Sequence, residues 1–464
     1  MNNLPARPAI RPSARLKGWH ILVIIYCCAM LTIFKPWIHG RDGAAYYSWL
    51  RSAVIDHDLD TYNEIEHYEQ LQDLALQSGE WVDDTGRTET GLWINHWPVG
   101  SAVLWAPFFL VAHSVTRVLG LSADGYSSLY VWLSMFASTF WALLGLLLVH
   151  RISKALYNDA AATLGVVSVW LASPLVFYMF MYPTMSHAND MFANALFVFV
   201  WYATARKRTP LGWVALGVAA GLAALVRTQN VLLMVFPGLE LLWELGVTLR
   251  QRARGATRQA LAKGALFAAS FVVGFAPQML VWKAVFGTYV VLNPIQISMG
   301  LGFTPWSPHF FHVLFSSNRG LFVWHPLLLL ATVGVWFLGQ RERRLAFFLA
   351  FSFLLQVYLV GSYDAWDSSP AFGARYFVNT APMFALGLAS LLNWLRRRVP
   401  FSATVAALGA FVLWNGALIV QYSLQLVPRA GPISIPTMVY NQFLVVPRRL
   451  GEVAALMLSR LRRQ

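Results

Sequence analysis

Twelve apolar runs of membrane-spanning length punctuate this chain, and no other feature restricts its fold so tightly. They fall near 18–38, 98–119, 127–149, 159–181, 188–205 and 211–226, and again near 230–249, 264–286, 320–340, 345–362, 379–395 and 401–422. A helix needs roughly 20 apolar residues to cross a bilayer, and a spanning segment must satisfy its own backbone hydrogen bonds. The expectation is an all-α integral membrane protein. Only 12% of the 464 residues are charged, against roughly 25% in an average soluble protein, which excludes a large soluble core.

Where the charges sit decides what they mean. The net charge of +14 is spread over short loops between apolar runs, at Arg151 and Lys154 and in 206–208, 250–263, 341–344 and 396–398. Such loops set topology, so the basic balance does not point to nucleic acid. The N-terminal segment 1–17, with Arg7, Arg11, Arg15 and Lys17, belongs on the same cytoplasmic side. The run from Trp19 to Trp37 is too long for a signal-peptide core and reads as an uncleaved first span. An even number of spans must then separate the N-terminus from Arg151. Three runs lie between them, and 98–119, with Pro107, His113 and Arg117, is the one expected to lie in the outer interface. About eleven transmembrane helices result. They form a transmembrane domain over 18–400, with 401–464 as the last span and a basic tail, of which 447–463 reads as an interfacial helix. Cys27 and Cys28 are helix neighbours that do not bridge each other, and no Cys–His spacing suggests zinc.

Of 21 acidic residues, twelve lie between Asp42 and Glu89, inside a long first outer loop, 39–126. Tyr46, Tyr47, Leu50 and Val54 fall on one helical stripe opposite Ser48, Arg51 and Ser52, which predicts an interfacial helix directly after Asp42. Asp42 itself is read as closing the first span, where a carboxylate beside apolar helices is suited to act as a base. His187 and Asp190, three residues apart, share a helical face; they suit a divalent cation (Mg or Mn), a phosphate or an acceptor hydroxyl, and equally a helix cap. Arg227 and Arg319 stand at span ends, where a guanidinium either clamps phosphate or snorkels to headgroups. Arg375, with Asp364 and Asp367, suggests a structural ion-pair cluster. Asp56, Asp58, Asp60 and Glu64 lack the glycine and terminal glutamate of a calcium loop and read as a solvated face.

Together these stretches resemble the type C glycosyltransferases, multi-span enzymes that use sugars carried on polyprenyl phosphate. The resemblance rests on GRDGAAYYSWLRS, NHWPVGSAVLWAPFFLVAH, MSHAND, GLAALVR, FSSNRGLFVWHP and FGARYF, in that order over roughly 18–400. These look like a bacterial branch related to protein O-mannosyltransferases and the lipid A aminoarabinose transferase. The resemblance implies that Asp42 deprotonates the acceptor, that His187 and Asp190 occupy the second-loop acidic site, and that Arg227, Arg319 and Arg375 hold the donor phosphate. The mannosyltransferase Asp-Glu pair appears here as Asp42-Gly43, so the role of a second acid is vacant. No WWD-type signature and no soluble C-terminal domain are present in the sequence, which points toward a glycolipid or polysaccharide acceptor. The resemblance also implies a plasma membrane with the site on its outer side. Two other readings remain: an oligosaccharide ligase or polymerase using a pyrophosphate donor, and a lipid or glycan transporter.

Overall fold

The computed structural model describes residues 17–72, 86–368 and 370–461. The expected cytoplasmic residues Arg7, Arg11 and Arg15, and the acids Asp73, Glu80, Asp83 and Asp84, lie outside the described residues. The architecture is all-α, with two isolated bridges, Arg87 to Trp93 and Phe303 to Tyr363. Among the described residues seven helices are long and apolar enough to cross a membrane, and four shorter apolar ones accompany them. Gly100–Val118 is one of the seven, so length and composition do not set it apart as the run that fails to cross. His187–Thr204 is in neither group, because His187, Asn189, Asp190 and Asn194 lower its hydropathy while its burial makes it central to the bundle.

Three runs are broken where the sequence reads as continuous. The first helix is Gly18–Thr32, not 18–38, because Pro36 lacks an N–H and restricts the residue before it. Pro174 divides 159–181 into Asp159–Leu171 and Leu175–Phe180, and Pro326 divides Leu321–Trp324 from Leu327–Gly339. One loop shrinks instead: the basic stretch 250–263 is mostly helical, within Arg254–Phe286.

Close helix crossings depend on glycine. A Cβ at Gly334 would stand 2.0 Å from the carbonyl oxygen of Gly387, and one at Gly387 would stand 2.3 Å from that of Ala331. Leu327–Gly339 and Ala381–Leu395 therefore meet backbone to backbone, as small residues permit in a membrane bundle. Gly334→Val is expected to lower stability by about 1–3 kcal/mol, read as an earlier thermal transition in detergent; an unchanged transition would mean the pair does not pack this way.

The first outer loop folds as Gly40–Arg51, a π-helical turn Ser52–Asp56, and Tyr62–Gln72. The expected interfacial helix is present, but its polar face is buried: Ser48, Ser52 and Arg51 are all inside. His57, at φ 59°, reverses the chain so that Tyr62–Gln72 lies against Gly40–Arg51. Arg51 then bonds Glu64 at 2.7 Å and also Asp56, beneath the Tyr126 ring 4.0 Å away. Asp58 accepts from Ser52 at 2.6 Å, and Asp60 from Arg87 at 2.7 Å. Glu64 is buried and Asp56 and Asp60 are half-buried in these ion pairs, so three of the four acids bind the loop from within, while Asp58 stays exposed as a solvated face would.

Candidate active site

Asp42 lies ten residues beyond the first helix, in the first turn of Gly40–Arg51, where the helix dipole favours an acid. It does not close the span. Gly40, at φ 66°, makes the turn that brings it there. Its carboxylate faces a cavity of about 1280 Å³, walled by residues within 35–46, 96–98, 177–187, 227–231, 278–305, 358–365, 370–376 and 422–430. The Asp42 side chain is 39% exposed, and its Oδ2 takes a bond from Arg375 Nη1 at 3.4 Å.

Arg375 opens the 3-10 turn Arg375–Thr380 and reaches Asp42 instead of Asp364 or Asp367. Asp364 accepts from the Gly302 amide, and Asp367 from Asn318. Arg227 caps the C-terminus of Pro210–Val226. It lies 5.5 Å from the Tyr376 ring centre, and Arg375 lies 5.4 Å from the same ring, so one aromatic separates the two cations. Arg227 donates to Ser186 at 3.4 Å, and Ser186 donates to the Tyr46 hydroxyl at 3.0 Å, one helical turn beyond Asp42. Burial raises the Tyr46 phenol above its ordinary pKa.

His187 lines the cavity with Nδ1 at 3.2 Å from Arg227 Nη1. A guanidinium only donates, so Nδ1 carries the lone pair and the proton sits on Nε2. Asp190 stands behind the wall. Its Oδ1 accepts from Asn230 at 2.6 Å and Asn194 at 2.8 Å, and Oδ2 is 3.6 Å from Arg227 Nε. Asn379 donates to Asn230 at 3.1 Å and extends the network. No group of three or more His, Cys, Asp or Glu side chains that could hold a metal ion occurs among the described residues. His187 and Asp190 therefore fit Arg227 as a positioning frame and do not, with Asp42, fit a magnesium or manganese ion.

Arg319 does not face the cavity. It is buried at φ 61°, and it donates to the carbonyls of Ala371 at 2.7 Å, Pro428 at 2.9 Å and Arg429 at 2.5 Å. Its fork ties 428–431 to the bundle, which leaves no donor set for a phosphate. Arg319→Ala strands those buried oxygens, each at about 1–3 kcal/mol. Faster proteolysis after Ser423 is expected; wild-type resistance would deny the clamp.

Several cavity residues carry no signal in the sequence. Lys35, Arg41 and Arg429 have no role in the sequence reading, yet all three line the cavity. Arg41 bonds Glu69 at 2.6 Å. Tyr46 reads only as part of an apolar stripe, and Tyr376 only as part of the FGARYF stretch.

No family model matches this chain, and no curated protein matches it. Among solved structures it is similar to ArnT from Cupriavidus metallidurans bound to undecaprenyl phosphate, at 14% identity and a TM-score of 0.46, over 92% of this chain and 74% of that one. The apo form of the same protein matches with the same score and identity, over 73% of its length. The Archaeoglobus fulgidus oligosaccharyltransferase in its apo form matches at 11% identity and a TM-score of 0.44, over 94% of this chain and 55% of that one. Both are type C enzymes, the group to which the sequence motifs bear a resemblance. Likeness of this order assigns no role to any residue here.

Proposed function

We propose that this chain is an inverting membrane glycosyltransferase that moves a sugar from a polyprenyl-phosphate donor to an acceptor on the extracytoplasmic side, a glycolipid or polysaccharide before a protein. The observation that carries this reading is the single carboxylate, Asp42, set beside Arg375 and within one aromatic ring of Arg227 in a cavity large enough for a lipid-linked sugar. Two buried donors there, Arg375 Nε and Gln229 Nε2, hydrogen-bond nothing.

The chemistry follows from the placement. Arg227 and Arg375 hold the donor phosphate. The acceptor hydroxyl oxygen attacks the anomeric carbon from the face opposite that phosphate. The bond from the anomeric carbon to the phosphate oxygen breaks, and its electron pair leaves on the phosphate, where the guanidiniums meet the growing charge. The hydroxyl proton passes to Asp42. One displacement inverts the anomeric configuration. Tyr46, Ser186, His187 and Asp190 touch Arg227 or its neighbours and act as positioning residues.

The direct test is to incubate the purified protein with a polyprenyl-phosphate sugar and measure released polyprenyl phosphate together with the anomeric configuration of the product. Release with inversion is expected. Movement of the lipid between leaflets without breaking the sugar bond would instead make the protein a transporter.

A further inference from the structure

Two glutamines on the cavity wall have their oxygens taken by the protein and their amide nitrogens left over. Gln229 Oε1 lies 3.4 Å from Arg227 Nη2, and a guanidinium only donates, so the nitrogen is the end turned away. Gln278 Oε1 accepts the Val99 amide at 3.0 Å, which fixes that side chain in the same sense. Gln278 is 2% exposed and Gln229 Nε2 is buried, yet neither nitrogen donates to a described residue.

Glycine crossings bring the two amides into one corner. A Cβ at Gly217 would stand 2.5 Å from the Phe267 carbonyl oxygen, and one at Gly221 would stand 2.9 Å from Gly274 Cα. Pro210–Val226 and Arg254–Phe286 therefore run side by side in the same direction. One helical turn further on, Gln278 stands level with Leu225, just short of Arg227. Gly100 closes the corner, because a Cβ there would collide with the Leu225 and Val226 backbone. Trp282, one turn beyond Gln278, and Trp97, two residues before Val99, line the cavity beside these amides. Among the lining residues of 96–98, 228–231 and 278–282, only His96 can titrate. It shares a 2.6 Å hydrogen bond with Ser298, and burial pushes it down to about 3, so it is neutral. The single acid among the described lining residues, Asp42, is engaged with Arg375.

We infer that this corner is the donor-sugar subsite and that it takes a ring presenting hydroxyl oxygens, not an ammonium group, with Gln229 and Gln278 donating to those oxygens and Trp97 and Trp282 as an apolar floor. This rests on the proposed glycosyl transfer, because it takes Arg227 to hold the phosphate that carries the sugar. The amide whose oxygen meets Arg227 offers its nitrogen to the next group along, and in a sugar phosphate that group is the ring. Amide donors satisfy hydroxyl oxygens. An ammonium brings only protons to them and would be buried without an acceptor. Indole faces suit the apolar face of a sugar ring.

The test uses the full chain in phosphatidylcholine nanodiscs and measures binding of undecaprenyl phosphate and of its glucosyl and glucosaminyl derivatives at neutral pH. The glucosyl lipid is expected to bind about tenfold more tightly than either of the others, the worth of a hydrogen bond or two to buried donors. Gln278→Glu keeps an oxygen for the Val99 amide but replaces the donor with a carboxylate, and it is expected to favour the glucosaminyl lipid. Gln229→Leu removes the other donor, leaves the Val99 amide satisfied, and is expected to lose most of the glucosyl advantage. Each variant is referred to its own affinity for undecaprenyl phosphate, which also shows that it folds. A glucosyl lipid that binds no better than undecaprenyl phosphate, or no better than the glucosaminyl lipid, overturns the inference and leaves the phosphate clamp standing. An unchanged glucosyl preference in either variant overturns it too. Absence of sugar transfer with this pattern of preference intact would instead remove the transferase reading and keep the corner as a sugar-lipid site.

Discussion

Asp42→Asn is expected to reduce sugar transfer by about 10²–10⁴-fold, the range over which a positioned general base acts. Asparagine keeps the shape and still offers an oxygen to Arg375, but it cannot take the acceptor proton. The side chain is 39% exposed to the cavity, so Arg375 regains water where it loses an anion, and the fold should hold. The measurement is turnover with a polyprenyl-phosphate sugar, beside a melting curve and binding of undecaprenyl phosphate. Loss of turnover with unchanged melting and donor binding places the defect in proton transfer. Turnover near that of the wild type would strip Asp42 of its role.

The second large effect is expected at Arg227. Arg227→Gln removes one of the two cations proposed to meet the leaving phosphate, and losing a donor of that kind costs about 10²–10³-fold in turnover. Undecaprenyl phosphate should also bind more weakly, in contrast to Asp42→Asn. Asp190 keeps its bonds from Asn230 and Asn194, so its buried carboxylate is not abandoned. Arg227→Lys keeps the charge without the planar fork and is expected to recover only part of the activity. Unaltered donor affinity in Arg227→Gln would assign this arginine to holding Asp190 alone.

The contrast between Arg227 and Arg319 shows how far single residues can be read from the chain. Both stand at helix ends beside small polar residues, and nothing local separates them. Arg227 projects into the cavity, whereas Arg319 is consumed by the carbonyls of a segment more than a hundred residues later. Arg51 and Glu64 misled in the same way, since helical spacing assigns a stripe but not which stripe another helix will cover. Gly43 is a third case. A Cβ there would meet Thr184 Oγ1 at 2.8 Å, so threonine takes up the space beside the position left without a second acid.

The amino-acid sequence by itself determined the all-α membrane-grade architecture, most helix positions and the long acidic first loop, and it singled out Asp42 as the candidate base. Each depends on hydropathy, periodicity or composition within one stretch of chain. Only the tertiary structure decided that Arg375, 333 residues away, would pair with Asp42, that Asp190 would sit behind Arg227, and that Lys35 and Arg429 would share a wall. The reason is physical. A charge takes its meaning from the partners that folding brings within a few ångströms, and those partners come from segments whose meeting no local pattern encodes.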